Sequence, residues 1–214
     1  MKRIASVLFI LVLLVCSVSA AEMYNPAKKW YSSGNGKAYI KQYEYDLNNN
    51  CRPSYVYPDA SISSGYFLWE ANTQIGIRVV NESVSTMNVS GRIVHLVPTR
   101  SGWDGLWDTD DQRRYYVALT HNFDTNSVQI TTLNAGQTTA YIANANIYYQ
   151  HSDYGNLDYY STSQFSSLIA HEMGHVLGFG HVDTDTTSIM HPSSAASGLN
   201  NNDKSALASK YPNA

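Results

Sequence analysis

Four side chains within one short run set the chemistry open to this chain. They are His171, Glu172, His175 and His181, in His171-Glu172-Met173-Gly174-His175-Val176-Leu177-Gly178-Phe179-Gly180-His181. On a helix, His171 and His175 stand four apart and face the same way, so their imidazoles can grip one metal ion together. Glu172 sits one position round, beside such an ion rather than on it. A carboxylate there is placed to hold a water and take its proton. Simple continuation of the helix would rotate His181 away. Gly178 permits a left-handed backbone, and a sharp turn there brings His181 back to the same point. Three neutral histidines leave a fourth position open, which marks a catalytic zinc site, and imidazole suits zinc better than calcium or magnesium. Average residue usage puts chance occurrence of the full pattern on the order of one in 10⁵ chains of this length. Three buried imidazoles without a metal would also be costly, so a helix with incidental histidines is the weaker reading.

The run matches His-Glu-x-x-His-x-x-Gly-x-x-His, and on it the chain resembles the metzincin metallopeptidases. Downstream, Ser188-Ile189-Met190-His191-Pro192 is similar to the Met-turn of that clan, with Met190 as its methionine. This form is closest to the matrixins, the matrix-metalloproteinase-like branch. Leu199 to Leu207, followed by Ser209-Lys210-Tyr211, is similar to the closing matrixin helix. The resemblance implies an α+β fold. A twisted, mixed, five-stranded sheet and two long helices lie above a cleft, and a small C-terminal subdomain holds the Met-turn and the final helix. It implies one catalytic zinc on His171, His175 and His181, Glu172 as general base and then acid, and Met190 beneath the ligands. An extended peptide or protein substrate would pair with an exposed strand edge, for which Tyr115 to Thr120 is the candidate. Three departures stand out. Val182-Asp183 replaces the usual serine after the third histidine, Ser194 stands where matrixins often place a pocket tyrosine, and Cys51-Arg52-Pro53 does not match the zinc-blocking propeptide motif. His151-Ser152-Asp153 resembles part of a structural zinc site but lacks the matching downstream ligands.

The elements that must position these residues are legible in outline. Phe165, Leu168, Ile169, Val176 and Leu177 predict a helix leading through the histidines, with Ser161 to Ser163 as caps. A second helix is expected over 59–73, where Ile62, Tyr66, Trp69 and Thr73 recur at helical spacing. Strands are expected over 38–45, 75–80, 92–97, 115–120, 127–132 and 140–149, with Asp124-Thr125-Asn126 as a turn. Residues 98–114 read as a loop. Its Asp104, Asp108, Asp110 and Asp111 make calcium a secondary cofactor candidate, but without EF-hand spacing a solvated acidic loop is preferred.

At 214 residues the chain suits one domain. A charged fraction of 14% with seventeen tyrosines argues against disorder, and a net charge of −3 offers no basic surface for nucleic acid. Lys2 and Arg3, the apolar run from Ile4 to Val15 and the small residues up to Ala21 predict a signal peptide over 1–21. A lipid on Cys16 and an uncleaved anchor are the lesser alternatives. Residues 22–36 then read as a linker or short N-terminal segment and 37–214 as the catalytic domain. Cleavage leaves Cys51 without a partner, so a secreted monomer that does not rely on disulfides or remain at the membrane is expected. Asn81 and Asn88 lie in glycosylation tripeptides. Two other function classes share the metal pattern: a zinc hydrolase of non-peptide amides, and a non-catalytic adhesion or binding module. The second has no use for Glu172.

Overall fold

The computed structural model describes residues 28–30, 40–45, 59–71, 77–78, 83–84, 92–96, 117–131, 140–149, 160–193 and 195–211. The expected signal peptide, Cys16, Cys51, Asn81, Asn88, the acidic stretch 98–114, His151 and Ser194 lie outside the described residues. In chain order the elements are β1 (Lys28–Trp30), β2 (Ile40–Tyr45), α1 (Asp59–Glu70), β3 (Ile77–Arg78), β4 (Ser83–Val84), β5 (Arg92–Leu96), β6 (Ala118–Phe123), β7 (Ala140–Ile142), β8 (Asn144–Tyr149), α2 (Thr162–Val176) and α3 (Asn201–Lys210). The fold class is α+β.

The main sheet runs β3-β2-β5-β8-β6, with β4 also on β2. Lys41 pairs with both Arg78 and Arg92, and Glu44 with both Ser83 and His95. Since β5 occupies one side of β2, β3 and β4 must both lie along the other. Six strands therefore fill five positions. All pairings are parallel except β6 on β8, which is antiparallel and forms the last position in the order. Part of the expected linker is paired as well, because Lys28–Trp30 runs parallel to Ala140–Ile142. That contact joins segments over a hundred residues apart, which composition does not reveal.

Three strand expectations shift. Ala118–Phe123 replaces 115–120, because six residues of β8, Asn144 to Tyr149, set the register opposite it. The run 140–149 breaks at Ala143, whose N–H donates to the Phe123 carbonyl. Within 127–131 the backbone only returns beside β6: Gln129 bridges Phe123, and the Ile130 N–H donates to the Asn122 carbonyl at 2.8 Å. The turn expected at Asp124-Thr125-Asn126 is present. Its Asp124 carboxylate accepts the N–H groups of Asn126 and Val128.

Helix α1 ends at Glu70, three residues short of expectation. Its Tyr66 and Trp69 are buried against α2 in one cluster with Ile93, Ile147, Tyr149, Phe165, Ile169 and Met173. Burying side chains of this size is worth about 1.5–3 kcal/mol each. The Trp69 indole N–H donates to the Ala170 carbonyl at 2.7 Å, and its ring stacks on Phe179 at 5.4 Å. One tryptophan thus joins α1 to both the helix and the turn that follows it.

Candidate active site

Helix α2 is closed at its start by its own residues. The Gln164 N–H donates to Ser161 Oγ, and the Ser161 N–H donates to Gln164 Oε1 at 2.9 Å. This reciprocal capping box satisfies two of the donors that a helix N-terminus leaves over. The far end closes differently. Gly178 has φ 83°, the left-handed turn that the sequence predicts. The Gly178 N–H donates to the His175 carbonyl and the Phe179 N–H to the Gly174 carbonyl, both at 2.9 Å. This is a Schellman closure. Remote side chains cover what remains. Tyr211 Oη donates to the Leu177 carbonyl at 2.9 Å, and Lys210 Nζ to the Gly178 carbonyl at 2.8 Å. Lys210 is fully buried, with its ammonium 5.1 Å from the centre of the Phe179 ring.

The turn delivers three imidazoles to one point. The Nε2 atoms of His171, His175 and His181 lie 3.1–3.2 Å from one another. They form the one such group of three metal-ligating side chains among the described residues. His171 Nδ1 lies 2.8 Å from the Ile189 carbonyl and His175 Nδ1 lies 2.9 Å from that of Phe179. A carbonyl only accepts, so in each ring Nδ1 carries the hydrogen and Nε2 holds a lone pair. Lone pairs facing each other at this distance repel unless a cation lies among them. Tetrahedral zinc with bonds of about 2.0–2.1 Å separates its nitrogens by about 3.3–3.4 Å, so the donor set fits zinc in type, number and spacing. Burial lowers the His181 pKa, and the neighbouring His171 lowers it further.

The segment that carries the carbonyl orienting His171 is held by α3. Asp203 is fully buried. Its Oδ1 accepts the Ser188 hydroxyl at 2.6 Å, and its Oδ2 accepts the N–H groups of Ile189 and Asn200 at 3.1 and 2.9 Å. Asn200 is the N-cap of α3, and Asp203 completes its capping box from the third helical position. Met190 is fully buried against Gly174. A Cβ at 174 would overlap the Met190 sulfur and stand 2.9 Å from both Met190 Cε and Trp69 Cζ2. The close approach of that thioether therefore requires glycine at the position just before His175.

Glu172 is buried, with 4% of its surface exposed, in the same helix. Burial pushes its carboxyl pKa up, while His171 and a hydrogen bond from Thr120 pull it part of the way back. Thr120 Oγ1 donates to Glu172 Oε2 at 2.5 Å. Two residues along β6, Asn122 Nδ2 donates to the His175 carbonyl at 2.7 Å. A cleft of about 760 Å³ opens over these groups, lined by Ala118 and Thr120 of β6, Gln164 and Leu168 of α2, and Pro192.

The four residues singled out from the sequence thus come together. The contacts made by Thr120, Asn122, Lys210 and Tyr211 escaped it, since each acts on an atom at least thirty positions away. Of the other histidines, His121 packs edge-on against Tyr148, and His191 accepts the Ser193 N–H. The matrixin family model matches residues 81–212, a span that holds the whole site. No curated protein matches the chain.

Proposed function

The chain belongs to the matrixins, a family of zinc-dependent metallopeptidases, and from that premise we propose that it is a secreted zinc endopeptidase. The observation that carries the proposal is the buried Glu172 carboxylate on the same helix as two of three converging imidazoles. His171, His175 and His181 hold one zinc. When bound, the metal acts as a Lewis acid towards the scissile carbonyl and makes water a stronger acid. Glu172 orients the attacking water, takes its proton, and returns that proton to the leaving amine.

Substrate binds extended along β6 by adding a strand to the sheet. The Ile130 N–H already occupies the Asn122 carbonyl, so the peptide pairs towards Ala118–Thr120, which line the cleft. Met190 supports the site by packing and does not bind the metal. The N-terminal pattern of residues 1–21 directs export, and the secreted monomer carries residues 22–36 as a short N-terminal segment ahead of the 37–214 catalytic domain. No helix among the described residues is long and apolar enough to cross a membrane.

The test combines metal analysis with proteolysis of an unfolded protein substrate. About one zinc per chain, activity abolished by a chelator and restored by zinc, and loss of both zinc and activity in His175→Ala are expected. Full zinc retention in that variant, or cleavage that ignores the chelator, overturns the assignment.

A further inference from the structure

Glu172 must do more than exist beside the metal site: its carboxylate plane has to point one oxygen at the water. The last torsion of a glutamate is broad and roughly two-fold, so backbone placement alone leaves that plane undetermined. The neighbouring strand supplies what the helix lacks. Thr120 and Asn122 project from the same face of β6, as residues two apart on a strand do. Both reach α2, Thr120 at the Glu172 carboxylate (2.5 Å) and Asn122 at the His175 carbonyl (2.7 Å). Asn122 fixes the distance between strand and helix at the second histidine. At that distance the Thr120 hydroxyl meets Glu172 Oε2.

We propose that Thr120 is a positioning residue for Glu172, its hydroxyl holding Oε2 so that Oε1 is the oxygen presented to water. The inference rests on the peptidase reading above. Three features support it. The bond is short, as hydrogen bonds from a hydroxyl to a charged carboxylate are. The carboxylate is buried, where losing a partner is costly. Thr120 also stands in the wall of the cleft, on the strand edge along which substrate would lie. One residue therefore connects the docking edge to the base, and a peptide that pairs with β6 meets a carboxylate already oriented by that strand.

Thr120→Val keeps the shape and removes the donor, whereas Thr120→Ser keeps the donor and removes a methyl group. With one zinc per chain in all three proteins, Val should lower kcat by about 10- to 100-fold with KM within about two-fold. Ser should stay within about three-fold of the parent. Crystal structures of the zinc-loaded proteins give a readout independent of turnover. The Glu172 carboxylate should keep one orientation in the parent and Ser proteins and rotate or split in Val. Unchanged kcat in Val, a Ser variant as slow as Val, a loss confined to KM, or an unrotated carboxylate in Val each overturns the positioning role. Failure of the peptidase reading looks different. In that case Glu172→Gln is as active as the parent, or the parent cleaves no peptide, while the carboxylate orientation in Thr120→Val still decides the inference.

Discussion

The two ends of α2 solve the same problem in opposite ways. At the N-terminal end, Ser161 and Gln164 cap each other from three residues apart, at the exposed surface. At the C-terminal end, the closure takes a left-handed glycine and two side chains from the end of α3, one of them a buried lysine. The first arrangement is local, made by residues three apart, although Gln164 also borders the cleft. The second is assembled from distant parts, and it also aims His181 and supplies the Phe179 carbonyl that orients His175. The contrast teaches that the chemistry sits where the fold is least local. Substitutions at the exposed end are therefore expected to cost less than those at the buried end.

That contrast can be broken or sharpened by five substitutions. The largest effect belongs to Glu172→Gln, which should lower turnover by about 10² to 10⁴ while zinc content stays near one per chain, as loss of a general base does. Gly174→Ala should follow, because its Cβ has no room beside Met190 and Trp69. A loss of about 1–3 kcal/mol in denaturant unfolding, with weaker zinc binding by competition against a chelator, is expected for such overpacking. Gly178→Ala forces a side chain into the left-handed region at a cost of about 1–2 kcal/mol. Its zinc affinity should fall as well, since the turn aims the third histidine. Met190→Leu keeps volume and apolarity, so it should cost under about 1.5 kcal/mol and retain zinc and most turnover. Loss of zinc in that variant with the fold intact would make Met190 a ligand. Ser161→Ala should be mildest, about 1 kcal/mol in unfolding with zinc and turnover unchanged. If Ser161→Ala slows turnover as much as Gly178→Ala, the two ends do not differ in the way described.

The same local-versus-remote divide governs what can be read from the residues alone. The α2 helix, its Ser161 cap and the turn at Gly178 are legible because spacing of a few residues encodes them. Membership of the matrixins is legible for the same reason, from a motif of eleven consecutive positions and a short downstream run. The strand β6 starts three residues later than composition suggests. Propensity favours the run from Tyr115 to Thr120, while pairing with Asn144–Tyr149 decides the register. The break at Ala143 and the pairing of Lys28–Trp30 are likewise settled by partners far along the chain. Asp203 reads as a helix-starting aspartate, and it does face the start of α3. Its larger task, holding Ser188 and Ile189, leaves no trace in spacing. Lys210 is the clearest case. A lysine at a helix end suggests a solvated cation, and only the tertiary fold shows it buried on the Gly178 carbonyl.

The fastening by Lys210 and Tyr211 has a consequence in time. Lys210 lies twenty-nine positions beyond His181. At a synthesis rate of about 5–20 residues per second, all three imidazoles emerge from translation about 1.5–6 s before the groups that hold their turn. For that interval the growing chain carries the complete motif without its anchorage. A fragment ending near residue 198 would freeze that moment, with every histidine and Glu172 present but Asp203, Lys210 and Tyr211 missing. Such a fragment should take up zinc far more weakly than the full chain in a chelator competition. The histidines thus depend for their turn on a helix that is made after them.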